Sequence, residues 1–319
     1  MNAVFLDFAT LGKDQLDPAP LLAAVPGLRI YDGTPDELRA ERTRDAEFVF
    51  ANKVRLDREI LEQAHALRFI GLTATGIDNV DLEVAAERSV AVCNIRNYCT
   101  QSVVEHVFAV LLGLTHSIVP YRDSVRQGDW QRAPDFCMLN HPIRELSAMT
   151  LGIVGYGNLG QAVAATGRQF GMSVLVARRQ GTAALPDDER TGFDDLLARS
   201  DVISLHCPLN DETRGLFGAE EFRKMKSDAV LINTARGALV DSAALAEALA
   251  TNEIGAAAID VLPEEPPLDG NRLLDYRGDN LIVTPHIAWG TREARQNAVN
   301  ELAANVVAFQ NGEKRNRVV

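Results

Sequence analysis

The chain has 319 residues, a length that favours two domains, and its 46% hydrophobic and 24% charged residues are typical of a globular protein. Its formal net charge of −12 argues against nucleic acid and anionic membrane surfaces as partners, since both require basic patches.

The sequence shows no sign of a signal peptide or of a membrane-spanning segment. The N-terminal residues carry no basic segment before their short apolar run, so they do not resemble a signal peptide. The most apolar stretch, Val103–Val119, contains Glu105 and is shorter than the roughly 20 residues that a membrane span needs. The four cysteines form no C-x-x-C pair, which favours core thiols over disulfides or a metal site. The sequence therefore predicts a cytoplasmic protein without a metal.

Short apolar runs alternate with helical patterns in the first part of the chain. This alternation predicts an α/β fold with buried parallel strands and right-handed crossovers. Helices are predicted over Arg58–His65 and Leu82–Glu87. The predicted strands are Ala3–Leu6, Phe48–Ala51, Phe69–Thr73 and Val90–Asn94.

A long helix is predicted from Gln101 to Val119. It is apolar nearly all round, which is typical of a helix buried between domains or between subunits. We expect it to carry the chain into the second domain. Because a dimer is the commonest closed oligomer, we also expect a homodimer with the apolar part of this helix, Val103–Val119, in or beside the interface.

Residues 151–160 contain a G-x-G-x-x-G motif in Gly155, Gly157 and Gly160. The motif follows an apolar run, Leu151–Val154, and opens a helical pattern, which is the context that dinucleotide binding requires. The first glycine permits the tight turn, the second lets the backbone approach a pyrophosphate, and the third permits close helix packing. The helix N-terminus then faces the phosphates. We predict a dinucleotide site here.

A second series of strands begins at this motif and fits a doubly wound dinucleotide-binding domain. The sequence thus predicts a substrate domain of residues 1–98 and 288–319 and a dinucleotide-binding domain of residues 99–287. The last helix, Thr291 to Gln310, should be capped by Thr291 and return to the N-terminal domain. The strands of the second series are Leu151–Val154, Ser173–Ala177, Val202–Leu205, Ala229–Asn233, Ala256–Asp260 and Leu281–Thr284.

Three charged residues, Arg236, Glu265 and His286, follow predicted strands of the second domain. Ligands of open α/β sheets lie beyond the carboxyl ends of the strands, so all three can converge on one crevice. Taken singly, each could be an ordinary polar residue of a loop. Taken together, beside a dinucleotide turn, they form a set suited to acid/base catalysis and anion binding.

Six motifs follow one another along the chain: residues 75–81, Gly155 to Gly160, residues 206–209, residues 233–237, residues 260–266 and residues 284–286. With these motifs in this order, the chain resembles the D-isomer-specific 2-hydroxyacid dehydrogenases over nearly its whole length. Four further stretches are Asn52-Lys53, Thr73-Ala74-Thr75-Gly76, Asp135-Phe136-Cys137 and His286-Ile287-Ala288-Trp289. They make the chain most similar, within that family, to the glycerate dehydrogenase (hydroxypyruvate reductase) branch.

The resemblance implies two doubly wound parallel-sheet domains, a flavodoxin-like substrate domain and a Rossmann dinucleotide-binding domain. It implies reduction of a small 2-keto acid, hydroxypyruvate or glyoxylate, to the D-2-hydroxy acid. His286 would be the general acid, and Glu265 would hold its ring and favour the imidazolium. Arg236 offers a planar fork for the substrate. Domain closure would exclude water.

The resemblance also implies two sets of binding residues. The substrate-binding residues would be Asn52, Lys53, Thr75, Gly76, Arg236 and His286, with backbone amides near Thr75 and Gly76 cradling the carboxylate. The cofactor-binding residues would be Gly155, Tyr156, Gly157, Asn158, Leu159, Gly160, Arg178, Arg179, His206, Cys207, Pro208, Thr213, Thr234, Ala235, Arg236, Asp260 and His286.

The choice of cofactor departs from the commoner NAD pattern. An NAD enzyme usually has an acid about 20 residues after the first glycine, where it binds the ribose 2′-hydroxyl. Here the second strand ends in Arg178-Arg179, and the next acid is Asp187. Two guanidiniums suit a 2′-phosphate. We therefore favour NADP(H), with NAD(H) possible, over a merely solvated basic turn.

Two alternatives stay open from the sequence. Glu265 argues against a formate dehydrogenase-like member, whose motif lacks the Glu, but a phosphite-type dehydrogenase could use the same three residues. A dinucleotide-sensing, corepressor-like interaction protein could also keep them. The absence of a long tail or an added peptide-binding segment disfavours that reading, although fold alone does not decide function.

Overall fold

The computed structural model describes residues 2–179, 181–182 and 189–319. The chain forms two compact units. Unit 1 comprises Met1–Cys99 and Trp289–Val319, and unit 2 comprises Thr100–Ala288. The roles predicted for the two parts of the chain, substrate binding and dinucleotide binding, stay predictions.

The described part of unit 1 is built on a five-stranded parallel sheet with the order β2-β1-β3-β4-β5. This is the flavodoxin-like order that the resemblance implied. The strands are β1 Ala3–Phe5, β2 Arg29–Ile30, β3 Phe48–Ala51, β4 Phe69–Leu72 and β5 Ala91–Cys93. The helices are α1 Ala19–Ala24, α2 Arg39–Thr43, α3 Arg58–Gln63, α4 Leu82–Glu87 and, numbered along the whole chain, α13 Arg292–Gln310.

Burial and capping explain these elements. Every residue of β1, β3, β4 and β5 is buried, as expected for strands covered by helices on both faces. Asp57 and Asp81 cap α3 and α4 through their carboxylates. Thr291 caps α13 by accepting the amide of Ala294, which confirms the predicted cap.

Unit 2 contains, in its described part, a six-stranded parallel sheet with the order β11-β10-β9-β8-β6-β7. Its strands are β6 Thr150–Val154, β7 Ser173–Val176, β8 Val202–Leu205, β9 Val230–Asn233, β10 Ala256–Ile259 and β11 Leu281–Val283. Its helices are α5 Thr100–Thr115, α6 Ile118–Arg126, α7 Asp129–Arg132, α8 Asn158–Gln169, α9 Phe193–Arg199, α10 Ala219–Lys224, α11 Ser242–Ala250 and α12 Arg272–Asp275.

The strand order of unit 2 reverses at β6. From β6 the chain passes to β7, and Ala177 pairs in parallel with Thr191 at the outer edge. It then returns to β8, on the other side of β6. The carboxyl ends of β6 and β8 thus flank a topological switch point, where open α/β sheets bind their ligands.

The prediction of one helix from Gln101 to Val119 is wrong. Helix α5 ends at Thr115, and α6 begins at Ile118. Between them Ser117 adopts a left-handed φ of 48°, and its hydroxyl donates to the carbonyl of Pro142 at 2.7 Å. A tertiary hydrogen bond therefore replaces helix continuation at this point.

The apolar side chains of α5 are mostly buried inside unit 2, where the helix packs on α8. The exposed apolar side chains of unit 2 instead concentrate after it, in residues 118–143, where Phe136 is 89% and Leu139 78% exposed. In the described part of the chain no single helix is long and apolar enough to cross a membrane. The pair α5 and α6 passes the same test together, by length and composition, with a 56° bend between them.

Candidate active site

The glycine turn after β6 is closely packed against the protein at two of its three glycines. Gly155 has a φ of 95°, and a Cβ there would lie 2.4 Å from the amide nitrogen of Cys207. Gly160 packs directly on the carbonyl oxygen of Gly155. By contrast, a Cβ on Gly157 would meet nothing within 4 Å. The turn is therefore packed on its protein side and open at Gly157, which is the N-cap of α8.

A pocket of about 370 Å³ opens beside this turn within unit 2. It is lined in part by Gly155, Tyr156, Cys207 and Pro208, which the sequence assigned to the cofactor. Arg178, Arg179 and Thr213 line it as well. The structure thus gathers residues from the ends of β6, β7 and β8 around one space.

Other predicted cofactor residues flank the switch point. Asn158 donates its side-chain amide to Thr100 Oγ1 at 2.7 Å, and Leu159 lies in the first turn of α8. Thr213 donates to the carbonyl of Pro208 at 2.7 Å and accepts the amide of Asn210, so its hydroxyl shapes the loop after β8.

His206 is the first residue after β8, and its Nε2 lies 2.9 Å from Ser204 Oγ. Burial lowers the pKa of His206 from 6.5 to about 4, because a buried ring is penalised for carrying charge. At neutral pH His206 is therefore an uncharged polar group beside the switch point.

The loop after β9 presents Arg236. Asn233 is fully buried. Its side-chain oxygen Oδ1 accepts the backbone amide of Ala235, and its side-chain nitrogen Nδ2 donates to the backbone carbonyl of Arg236. Among the described residues Thr234 Oγ1 is buried without a hydrogen-bond partner. An orphaned hydroxyl in a segment assigned to the cofactor is what a bound polar ligand would satisfy.

The residues predicted to be catalytic are linked through their loops. His286 Nδ1 lies 2.6 Å from Glu265 Oε2, and both side chains are about 30% exposed, at 28% and 32%. Glu265 Oε1 accepts the amide of Leu262 at 2.8 Å. Gly237, next to Arg236, packs so closely on Leu262 that a Cβ would lie 1.9 Å from its carbonyl carbon. The loops after β9, β10 and β11 are therefore in contact.

Asp260 holds the turn that carries His286. It is 2% exposed, and its carboxylate accepts the amides of Ile287 and Ala288 at 2.9 and 2.8 Å. Its carbonyl accepts the amide of His286 at 2.7 Å. These bonds fix His286 at a φ of 55°, a strained conformation for a residue with a side chain. Asp260 was predicted to touch the cofactor; its observed contacts are with this turn.

Thr284 of the last family motif and His106, to which the sequence analysis gave no role, complete the turn. Thr284 Oγ1 donates to Asp260 at 2.5 Å and lies 3.2 Å from His106 Nε2. No motif spacing marks such a contact, because His106 comes from α5, far earlier in the chain. Among the described residues, no group of three or more His, Cys, Asp or Glu side chains is arranged to hold a metal ion.

Unit 1 presents its predicted substrate residues after β3 and β4. The carboxylate of Asp7, which is 2% exposed, accepts the amides of Asn52, Lys53 and Val54 at 2.6–3.0 Å. Thr75 donates its hydroxyl to the carbonyl of Ile95, and Gly76 follows it in the same loop. Asp7 was missed by the sequence analysis, although an acid directly after the first strand was a signal.

Comparison with known proteins identifies the family. Residues 108–288 match the family described as "D-isomer specific 2-hydroxyacid dehydrogenase, NAD binding domain". A glycerate dehydrogenase of Methylorubrum extorquens is 45% identical over 285 residues, which cover 89% of each chain. A hydroxypyruvate reductase of Blautia hydrogenotrophica is 36% identical over 98% of each chain.

A solved structure agrees. The TT0316 protein from Thermus thermophilus superimposes over 100% of both chains with a TM-score of 0.86 and 31% identity. The family and the fold class that the sequence predicted are thereby confirmed. The chain belongs to the D-isomer specific 2-hydroxyacid dehydrogenases, enzymes that use a nicotinamide dinucleotide and whose substrates are small 2-hydroxy or 2-keto acids.

Proposed function

We propose that this enzyme reduces hydroxypyruvate or glyoxylate to the D-2-hydroxy acid. The observation that carries the proposal is the 2.6 Å contact between His286 Nδ1 and Glu265 Oε2, beside the loop of Arg236. The names of the relatives, glycerate dehydrogenase and hydroxypyruvate reductase, support the same substrate class.

The residues of unit 2 fit a nicotinamide dinucleotide. The open face of Gly157 suits a pyrophosphate, and the orphaned Thr234 hydroxyl suits a polar group of the cofactor. When bound, the cofactor supplies the hydride that reduces the keto carbon.

His286 and Arg236 supply the remaining chemistry in this proposal. With Nδ1 held by Glu265, the ring can give a proton from Nε2 to the substrate oxygen that becomes the hydroxyl. Arg236 offers paired N–H donors that match the substrate's carboxylate. In the oxidative direction the same nitrogen takes the proton back. The substrate contacts predicted for Asn52, Lys53, Thr75 and Gly76 stay predictions.

We propose NADP(H) as the favoured cofactor. Arg178 and Arg179 line the pocket at the end of β7, where the second strand of such a domain meets the adenosine ribose. Asp187, the next acid along the sequence, lies outside the described residues. A 2′-phosphate would receive charge-assisted hydrogen bonds from these guanidiniums.

We further propose a cytoplasmic homodimer. The exposed apolar side chains of residues 118–143 support association, since exposed apolar side chains gathered in one segment favour an interface. This moves the expected interface from α5 itself to the segment that follows it. The unpaired cysteines Cys93, Cys99, Cys137 and Cys207 support a reducing compartment.

The decisive experiment is steady-state oxidation of NADPH and of NADH with a panel of 2-keto acids. We expect hydroxypyruvate and glyoxylate to give the highest kcat/KM, and NADPH to exceed NADH. His286→Ala should lower kcat by roughly 10²–10⁴-fold, far more than it weakens cofactor binding. A preference for bulky keto acids, or for NADH, would contradict the corresponding part of the proposal.

A further inference from the structure

An acidic side chain reaches the proposed 2′-phosphate site from a part of the sequence far from β7. Glu212, in the loop after β8, lines the same pocket as Arg178 and Arg179. Its Oε2 accepts a hydrogen bond from Arg179 Nε at 3.1 Å and a second, shorter one from Nη2 of the same guanidinium. One of the two arginines that follow β7 is thus already paired with a carboxylate.

The loop that presents Glu212 is held in one conformation. Asn210 Oδ1 accepts the amides of Glu212 and Thr213, each at 3.0 Å. Thr213 ties the loop back to the carbonyl of Pro208. The carboxylate therefore stands at the pocket as part of a built turn.

The pair is open to solvent, with 66% of the Arg179 side chain and 64% of the Glu212 side chain exposed. Exposed ion pairs are weak, so an anion of higher charge can replace Glu212 as the hydrogen-bond partner of the Arg179 guanidinium. The carboxylate then stays beside that anion as a like charge, which opposes binding. A ligand without the 2′-phosphate neither needs Arg179 nor meets this repulsion.

We propose that Glu212 is a specificity-determining residue that limits the affinity of this enzyme for 2′-phosphorylated cofactors by pairing with Arg179. The proposal rests on the proposed use of NADP(H) at this pocket. With Glu212 present, the affinities of the enzyme for NADP(H) and NAD(H) differ less than they would if Arg178 and Arg179 acted alone. Arg190, which also lines the pocket, adds a further guanidinium, and its carbonyl accepts a hydrogen bond from Arg178.

The test is direct binding by titration calorimetry on the full chain, with adenosine 2′,5′-bisphosphate and with 5′-AMP as probes. Glu212→Gln keeps the size of the side chain and removes its charge. We expect this variant to bind the bisphosphate about three- to tenfold more tightly, and its affinity for 5′-AMP to change by less than about twofold. Asp211→Asn is the matched control: it removes the same charge one residue away, from a side chain that does not line the pocket.

A double-mutant cycle with Arg179→Ala separates the ion pair from general repulsion. In the Arg179→Ala background we expect most of the gain from Glu212→Gln to vanish. Three outcomes would overturn the proposal: no gain in Glu212→Gln, an equal gain for both probes, or the same gain in Asp211→Asn. An undiminished gain without Arg179 would overturn it too.

This outcome is separable from that of the proposed cofactor preference. If the unaltered enzyme favours NADH over NADPH, the NADP(H) assignment fails. The Glu212 proposal is decided by the change in the ratio of the two affinities between variants, whichever cofactor is preferred at the start.

Discussion

His286 and Glu265 are joined by a 2.6 Å hydrogen bond between Nδ1 and Oε2, and the second oxygen of the same carboxylate accepts the amide of Leu262. Glu265 is therefore itself fixed to the backbone of its loop. A carboxylate held in this way orients the imidazole, so that its other nitrogen is the one available to a substrate.

Replacing Glu265 should lower turnover with little effect on cofactor binding. We expect Glu265→Ala to reduce kcat by roughly 10- to 100-fold, because the ring loses its orienting partner, and Glu265→Gln to recover part of that loss. The KM for the cofactor should stay within about twofold. Glu264→Gln, an exposed neighbour, is the matched control. A fall in kcat shared by the Glu264 variant would show a loop effect and would defeat the pairing.

Arg236→Lys should damage recognition of the keto acid. Lysine keeps the positive charge but loses the planar fork that binds a carboxylate through two bonds. Losing one charge-assisted bond, worth about 1.5–3 kcal/mol, should raise the KM for the keto acid by about 10- to 150-fold. Steady-state kinetics at saturating cofactor measures this, with Arg272→Lys as an exposed control. A KM unchanged in Arg236→Lys would place the substrate carboxylate elsewhere.

Much of the fold follows from local sequence. Fully buried strands such as Phe48–Ala51 and Val202–Leu205 were predicted at their observed bounds, since continuous apolar runs mark doubly covered strands. Strand β2 was missed because its two residues, Arg29 and Ile30, form no apolar run. The break after α5 was missed because the bond from Ser117 to Pro142 joins residues 25 positions apart.

The candidate site likewise has parts that the sequence predicts and parts that it does not. The G-x-G-x-x-G turn was readable, because its glycines and its flanks are contiguous in sequence. The supporting contacts were not, since Asp7 binds the amide of Asn52 45 positions away and Arg179 meets Glu212 33 positions away. Such pairs are set by which strand ends become neighbours, and a single sequence does not give that information.

Association should depend on the exposed apolar segment after α5. We expect the double variant Phe136→Ser and Leu139→Ser to shift the mass measured by light scattering from twice 34.8 kDa to 34.8 kDa. Leu268→Ser is the control, since Leu268 is 81% exposed but lies outside this segment. An unaltered protein that is already monomeric at micromolar concentration would reject the dimer.

His206 should make stability depend on pH in a defined window. Its pKa in the folded protein is about 4, below the ordinary 6.5, so the unfolded chain binds more protons between these values. The contribution of His206 to the free energy of unfolding is therefore complete above pH 6.5 and decreases by about 3 kcal/mol as the pH falls towards 4. Denaturant unfolding across this range should show a shallower decrease in His206→Asn. Equal slopes in both proteins would contradict a neutral, buried ring, and His65→Asn, at an exposed site, is the control.

Arg178 and Arg179 should determine the use of NADPH. They line the pocket at the end of β7, and each guanidinium can give a 2′-phosphate charge-assisted hydrogen bonds worth about 1.5–3 kcal/mol. Truncating both to Ala should therefore raise the KM for NADPH by at least about tenfold. The KM for NADH should change by less than about twofold, because no phosphate is present to lose these bonds. Arg199→Ala removes an exposed positive charge from α9, outside the pocket, and should leave both constants as they are. If the double truncation raised the KM for NADPH and for NADH equally, the two arginines would support the pocket as a whole and would not bind the 2′-phosphate.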